Sequence, residues 1–251
     1  MQDNLVSIIM PAYNSANYIK DSIESVLAQI YPYWELLIID DGSSDNTAEI
    51  VQSYTDERVR YLHQVNKGVA AARNYGIKNA SGRFLAFLDS DDIWLPEKLA
   101  HQLKFMRANK IGFSYTEYRQ FAEKPANASR LIKTQDSVDY HKLLKGNDIA
   151  CLTVMIDRNT YPRIKMPPAK HEDYVAWLNL LNNGGCAYAL HEDLARYRKS
   201  NQSLSGNKWK SWQWTWQVYR KSQGLSMLKS AYYFGHYIVR GIKKHYWQCK
   251  R

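Results

Sequence analysis

The sequence predicts an α/β fold, a mostly parallel sheet flanked by helices with a basic, aromatic helical extension at the C-terminus. Three observations lead there. Short apolar runs suited to buried strands recur at residues 6–10, 35–39 and 84–88. Stretches with helical spacing lie between them, and each run ends abruptly in polar or acidic residues. Strand, helix, strand, helix, strand is the order of right-handed crossovers in a parallel sheet. It brings the polar ends to one carboxyl edge, where open α/β sheets bind ligands.

The elements follow in turn. Residues 6–10 form the first strand, and Pro11-Ala12-Tyr13-Asn14 turns out of it. Tyr18, Ile19, Ile23, Val26, Leu27 and Ile30 recur at helical spacing, with Asn14 or Ser15 placed to cap the start. The strand at 35–39 ends in Asp40-Asp41-Gly42-Ser43-Ser44-Asp45. A helix over 47–54, a short strand over 59–63 and a helix over 68–78 lead through Ser81-Gly82 to the strand at 84–88, which runs into Asp89-Ser90-Asp91-Asp92. A helix over 97–109 precedes residues 111–121, which alternate like an antiparallel strand. Residues 123–134 read as a loop, 136–144 as a short helix and 150–156 as a strand. His171-Glu172-Asp173 opens a helix that stops at Gly184-Gly185. Residues 186–190 and 194–198 read as two short strands, and 226–247 as a final helix. The expected division is a ligand-binding and catalytic domain over 1–205 and a helical extension over 206–251.

The 251 residues carry 34 Lys and Arg against 24 Asp and Glu, a net charge of +10. The excess is local. Residues 194–251 hold 13 of the cations and no acid, so the first 193 carry 21 basic and 24 acidic groups. The same tail holds five of the eight tryptophans, Trp209, Trp212, Trp214, Trp216 and Trp247. A near-neutral body with a basic, aromatic end points to an anionic partner at that end. Interfacial helices on anionic lipid have this composition. A helix packed on the body or on a twin subunit is the other reading, and nothing suggests a nucleic-acid fold. Cys151, Cys186 and Cys249 are too few and too scattered for a disulfide framework or a zinc site, which suits a reducing cytoplasmic setting. No signal peptide is expected at the N-terminus, and no apolar run reaches membrane-spanning length.

Asp89, Asp91 and Asp92 carry the most chemistry. Carboxylates this close repel one another unless a cation intervenes, and hard Mg²⁺ or Mn²⁺ prefers oxygen ligands. The same tetrapeptide is also good turn and helix-cap material. Asp41 is placed to bind a ribose or a base edge, or to cap a strand-to-helix turn. Lys67 and Arg73, near a helix start, are phosphate or carboxylate partners, or else a solvated helix face.

In combination these segments closely resemble the family 2 glycosyltransferases, inverting enzymes with the Rossmann-like GT-A fold. The matching residues are Ser7-Ile8-Ile9-Met10-Pro11-Ala12-Tyr13-Asn14, Asp40-Asp41-Gly42-Ser43-Ser44-Asp45, Asn66-Lys67-Gly68, Ala72-Arg73-Asn74-Tyr75-Gly76, Asp89-Ser90-Asp91-Asp92 and Glu172-Asp173. The resemblance implies that Pro11, Ala12, Tyr13 and Asp41 hold the uridine of a nucleotide sugar. Asn14, Lys67 and Ser90, inside the matched segments, belong to the same binding set. Asp89-Ser90-Asp91 resembles the family's DXD motif. By that resemblance Asp91, alone or with Asp89 or Asp92, is the favoured ligand of Mn²⁺ or Mg²⁺, Asp89 lies nearer the ribose or sugar, and Arg73 sits by the uracil or the acids. Asp173 is the implied general base and Glu172 the fallback, although both would also complement a helix dipole. Residues 197–205 resemble a segment that closes over the diphosphate, which makes Arg198 a candidate phosphate clamp or simply part of a basic surface loop.

The implied function is metal-dependent transfer of a hexose, glucose or galactose first, from a UDP-sugar to a lipid-linked sugar or glycan acceptor. Such enzymes build bacterial surface polysaccharide, O-antigen or capsule, at the inner face of the plasma membrane. The peripheral contact would run through the C-terminal extension, and a homodimer is a further expectation. Two alternatives stand beside it: a polyprenyl-phosphate sugar synthase of the same fold, which scarcely needs a base, and a non-catalytic module bound at the membrane surface.

Overall fold

The structure, a computed structural model, describes residues 1–122, 125–199 and 208–246, with side chains at all of these except 208–210 and 242–246. Its centre is a ten-stranded mixed sheet. β1 (Gln2–Ala12) lies between β2 (Trp34–Asp40) and β4 (Gly82–Phe87), and β3 (Val59–His63) flanks β2, all parallel. Beyond β4 the order continues through β9 (Met155–Asp157), β6 (Phe113–Phe121), β10 (Cys186–Arg198) and β5 (Ile93–Trp94). β7 (Leu131–Ile132) pairs with β6, and β8 (Ser137–Asp139) with β10.

The parallel half is buried on both faces. Successive side chains of a strand point to opposite sides. Ile9, Leu37, Ile39, Leu85 and Phe87 therefore join one core with α3 (Val69–Asn79) and α6 (Glu172–Leu181). Ile8, Met10, Leu36, Ile38, Phe84 and Ala86 join the other, with α1 (Ile19–Leu27), α2 (Thr47–Gln52) and α4 (Lys98–Ala108). Trp177 of α6 packs its ring 5.6 Å from Phe87 and 5.4 Å from Phe113, fixing that helix beneath the sheet. At Gly76 of α3 a Cβ would come within 2.7 Å of Ile39 and Ile9, so the helix lies on the sheet at a distance only glycine allows.

Several expectations change in detail. The first helix starts at Ile19 without a side-chain cap. The Ser15 carbonyl accepts from the Tyr18 and Ile19 amides instead, while Asn14 spends its side chain on the Ser44 amide, 2.8 Å away. Residues 186–198 form one strand rather than two, because register shifts near Asp193 absorb the polar interruption. β6 is antiparallel to β9 and β7 but parallel to β10. Residues 137–139 are a strand ahead of α5 (Tyr140–Leu144), and a 3₁₀ turn, Cys151–Thr153, precedes β9.

At the C-terminus α7 (Lys208–Gln217), inside the expected helical extension but not picked out there as a separate helix, continues into a π-helical turn, Val218–Ser222, and then α8 (Met227–Tyr246). α8 rests on the body through Tyr233, whose hydroxyl meets His141 Nδ1 at 2.7 Å, through Phe234 against Trp216, and through an Arg240–Asp148 ion pair at 3.0 Å. Trp247 and Cys249 lie outside the described residues.

Candidate active site

The parallel register brings the ends of β1, β2 and β4 level: Ala12 pairs with Asp40, and Ile9 with Phe87. Pro11 and Ala12 are buried at the end of β1, and the Asp41 amide donates to the Ala12 carbonyl at 2.8 Å. Tyr13 holds its ring out, 53 % exposed. Asn14 has a left-handed backbone (φ 48°) and donates its amide to Ser43 Oγ at 2.9 Å. The Ser15 and Ser90 hydroxyls meet at 2.8 Å, joining the β1 loop to the acidic loop after β4. The matched segments around Pro11, Asp41 and Asp89 thus form one surface.

Asp41 organises the entry to α3. One carboxylate oxygen accepts from the Lys67 amide (2.8 Å) and Gln64 Nε2 (2.7 Å), the other from the Gly68 amide (2.8 Å). Gly68 has φ 86°, a conformation that strains any other residue, and α3 begins immediately after it. The Lys67 side chain is left exposed on the wall of the main cleft.

One turn into α3, Arg73 is 3 % exposed and donates to Asp89 and to Glu172, each at 2.5 Å. Burial disfavours its charge, but Asp89 and the neighbouring acids outweigh that and hold the guanidinium protonated. Arg73 therefore ties the acidic loop to the start of α6. Glu172 is occupied by this pair. Asp173, half-buried beside it, accepts only the Tyr174 amide (2.7 Å) and lines the cleft with no cation paired to it among the described residues. Burial pushes both carboxyls above the usual range, with Arg73 pulling each back down.

In the acidic loop, burial and then the neighbouring Asp89 push Asp91 up to about 6. Asp92 is 1 % exposed and pushed up by burial, then by Asp91 and Asp89. Its Oδ1 accepts the Arg198 amide at 2.8 Å, while Oδ2 has no partner. Strained protonation and an orphaned carboxylate oxygen in an all-oxygen donor set fit a hard divalent cation. Among the described residues no three acidic, His or Cys side chains converge on one point. Asp91 with one neighbour would hold such an ion, leaving its other positions to diphosphate oxygens and water, as is usual for Mg²⁺.

Arg198 stands at the same loop with its guanidinium already engaged. Nε donates to the Asp91 carbonyl (2.8 Å), a terminal nitrogen pairs with Asp21 (3.1 Å), and the Tyr18 and Phe121 rings lie 4.6 and 4.5 Å away. In this arrangement it buttresses the acidic loop. The segment at 200–205, expected to close over the diphosphate, lies outside the described residues.

Lys67, Arg73, the acidic loop, Glu172, Asp173 and Arg198 line one cleft of about 2310 Å³, whereas Pro11, Ala12, Tyr13, Asn14, Asp41 and Ser90 are not among its lining residues. Its floor holds Arg73, Asp89, Asp91, Asp92, Glu172 and Asp173. Lys165, Lys170 and Lys221 line it too, and no sequence motif singled them out. The loop before α6 is pinned to α3 by reciprocal hydrogen bonds between the Asn74 amide group and the Met166 backbone, at 2.7 and 2.8 Å. His171 packs edge-on to Trp214 of α7 at 5.5 Å, and burial lowers its pKa. His191 lies by Glu117 and Asp136, outside the cleft.

Comparison with known proteins gives the family and the fold. Residues 7–161 match the family model described as glycosyl transferase family 2. A protein of Bacillus subtilis (strain 168) named as a teichuronic acid biosynthesis glycosyltransferase, TuaG, is 43 % identical over 96 % of this chain and 97 % of its own. WfgD of Escherichia coli, named UDP-Glc:alpha-D-GlcNAc-diphosphoundecaprenol beta-1,3-glucosyltransferase, is 43 % identical over 100 % of this chain and 98 % of its own. Among solved structures, S. aureus TarS 1–349 in complex with UDP-GlcNAc superposes with a TM-score of 0.72 at 18 % identity, over 95 % of this chain and 72 % of that one. The mannosyltransferase PcManGT from Pyrobaculum calidifontis, in complex with GDP-Man and Mn²⁺, superposes with a TM-score of 0.71 at 16 % identity, over 93 % and 70 %. The chain belongs to glycosyl transferase family 2 and has the GT-A fold.

Proposed function

We propose that this glycosyltransferase moves a hexose, with inversion, from a UDP-sugar to a hydroxyl of a sugar carried on a lipid diphosphate, in bacterial surface-polysaccharide synthesis. The observation that carries the reading is the Arg73 bridge, which fixes a metal-type acidic loop and an unpaired Asp173 carboxylate in one cleft. End-to-end likeness to WfgD supports the UDP-glucose and lipid-diphosphate parts, and the β linkage in that protein's name is what a single displacement on an α-linked donor produces.

Pro11, Ala12, Tyr13, Asn14 and Asp41 would frame the uridine at the ends of β1 and β2, with Lys67, Ser90 and Arg198 toward the phosphates. Asp91, with Asp89 or Asp92, would hold Mn²⁺ or Mg²⁺, which offsets the charge that develops on the departing diphosphate. Asp173 accepts the proton of the acceptor hydroxyl. The hydroxyl oxygen then bonds to the anomeric carbon as the bond to the diphosphate oxygen breaks, and UDP leaves with that electron pair. Glu172, neutralised by Arg73, would position the base. A base pushed above the usual carboxylate range by burial suits this step.

Among the described residues no helix is long and apolar enough to cross a membrane. α8 nevertheless turns Leu228, Tyr232 and Val239 outward, 85, 55 and 50 % exposed, in a tail rich in Lys and Arg. We place this face on anionic lipid at the cytoplasmic side of the plasma membrane, beside the lipid-borne acceptor.

The test is a donor screen with Mn²⁺ or Mg²⁺ and N-acetylglucosamine linked through diphosphate to an alkyl chain. Transfer from UDP-glucose or UDP-galactose is expected. Asp173→Asn should cost roughly 10²- to 10⁴-fold in kcat, with UDP affinity retained. Asp91→Asn should abolish the metal-dependent part of UDP binding. Full turnover by Asp173→Asn with Asp91→Asn inactive would instead indicate a phosphate acceptor that needs no base. Absence of transfer and of binding with every nucleotide sugar would exclude the enzyme.

A further inference from the structure

Nine cations of the described residues line the cleft; three are in ion pairs, and Lys67, Arg130 and Lys133 are exposed on it as well. Arg73 is paired with Asp89 and Glu172, Arg198 with Asp21, and Arg240 with Asp148. Lys165, Lys170 and Lys221 line the same cleft, are exposed, and have no acidic partner among the described residues. Exposed lysines usually form a solvated rim. Here the backbone beneath each is anchored. Lys165 and Lys170 flank Met166, which is fully buried and bonded in both directions to Asn74. His171, next to Lys170, packs on Trp214. Lys221 stands on the π-helical turn, where Val218 and Tyr219 are buried, the Tyr219 hydroxyl donates to the Leu144 carbonyl at 2.6 Å, and Gln223 bonds to Asn179 of α6 at 2.9 Å. Single π turns of this kind recur at functional sites.

Position relative to the base decides what such cations serve. In an in-line displacement the acceptor enters opposite the departing diphosphate, from the side of the residue that takes its proton. Lys170 lies three residues and Lys165 eight residues before Asp173. Both therefore belong to the acceptor's side, while the donor diphosphate is served at the acidic loop by the metal. An acceptor sugar linked at its anomeric carbon to a diphosphate carries that anion one pyranose width from its reacting hydroxyl.

We propose that Lys165, Lys170 and Lys221 form a second anion subsite, which receives the diphosphate of the acceptor. The proposal rests on the reading of the cleft as an inverting glycosyltransferase site. Three ammonium groups on the dianionic diphosphate diester make charge-assisted contacts that a neutral glycoside of the same sugar cannot make. They also raise the local concentration of an anionic acceptor at the mouth.

The experiment compares two acceptors at saturating donor: N-acetylglucosamine α-linked through diphosphate to an octyl chain, and the neutral octyl α-glycoside of the same sugar. Replacing the three lysines by Ala should raise KM for the diphosphate acceptor at least tenfold, with KM for the neutral glycoside and for the donor unchanged. Arginine at the same positions should restore it. Equal loss with both acceptors, a rise confined to donor KM, or no change would each overturn the subsite. Calorimetric titration of octyl diphosphate in the presence of saturating UDP reads the subsite without turnover. Binding to the wild type that the alanine variant loses supports it, and equal or absent binding overturns it. A wild type that transfers to neither acceptor but binds octyl diphosphate through these lysines would sink the proposed reaction and leave the subsite standing.

Discussion

Arg73 and Glu172, 99 residues apart in sequence, share an ion pair of 2.5 Å inside the cleft, with Arg73 only 3 % exposed. The other terminal nitrogen of the same guanidinium holds Asp89. The acidic loop that follows the parallel strand β4 and the start of α6, which carries Asp173, are thus joined through one side chain. Two acids that would otherwise repel each other are held in place by the cation between them.

Removing that cation strands both acids. Arg73→Ala is expected to cost about 3 to 5 kcal/mol, the usual penalty for breaking a buried pair from one side. Urea unfolding measures it. Arg73→Lys keeps the charge but has no planar fork to reach both carboxylates, so it should regain part of the stability and little of the activity. A lysine variant with full kcat would show that the fork is dispensable. Arg73→Ala with wild-type stability would show that the bridge is absent in solution.

The parallel half of this architecture was legible because its strands are short, wholly apolar and separated by helical spacing, as at 35–39 and 84–88. The acidic loop and Glu172-Asp173 were legible as chemistry for the same local reason. What escaped depends on contacts. Residues 186–198 read as two strands because His191-Glu192-Asp193 interrupts the pattern, yet register shifts against β6 carry one strand through. The bounds of α7, inside the expected helical extension, escaped because Trp209, Trp212, Trp214 and Trp216 follow no single helical stripe. Arg73 was visible as a cation near a helix start, but its two partners come from distant elements. The lysines of the cleft carry no local signal, since the bonds between Met166 and Asn74 and the packing of Ile164 and Met166 in the core place that loop beside α3.

Lys98 gives a pH signature unrelated to catalysis. It is fully buried in α4, donates to Gln102 and to the Thr153 carbonyl, and lies 4.9 Å from the Trp94 ring centroid. Burial lowers its pKa from 10.5 to about 7. Between those values the unfolded lysine binds a proton and the folded one does not, so stability rises with pH across that window. Below about pH 7 both states are protonated and the dependence ends. The slope is about 1.4 kcal/mol per pH unit. Urea unfolding at pH 7.5 and 9.0 should show the wild type gaining about 2 kcal/mol more than Lys98→Met over that interval. The Gln102 bond lost in the variant is missing at both pH values and cancels. Parallel pH profiles for the two proteins would mean that Lys98 reaches solvent and stays charged.

The outer face of α8 is the surface proposed to meet the membrane. The inner side of the helix is spoken for: Ser230 is fully buried, Tyr233 bonds to His141 and Phe234 packs on Trp216. Leu228, Tyr232 and Val239 face away from the body at spacings of four and seven, one stripe of a helix, next to Lys229. A water-facing stripe of this kind favours an apolar or interfacial neighbour, and 13 cations without an acid from residue 194 onward select an anionic one. Vesicles containing phosphatidylglycerol should therefore co-sediment the protein, whereas purely zwitterionic vesicles retain little of it. Raising salt from 0.1 to 0.5 M should weaken the binding, because the lipid charge is screened. Leu228→Glu with Val239→Glu should reduce vesicle binding at least tenfold while transfer to a water-soluble acceptor continues, since neither side chain lines the cleft. Unchanged vesicle binding in that double variant would remove α8 from the membrane. A concentration-dependent dimer in analytical sedimentation, abolished by the same two substitutions, would assign the stripe to a second copy of the chain.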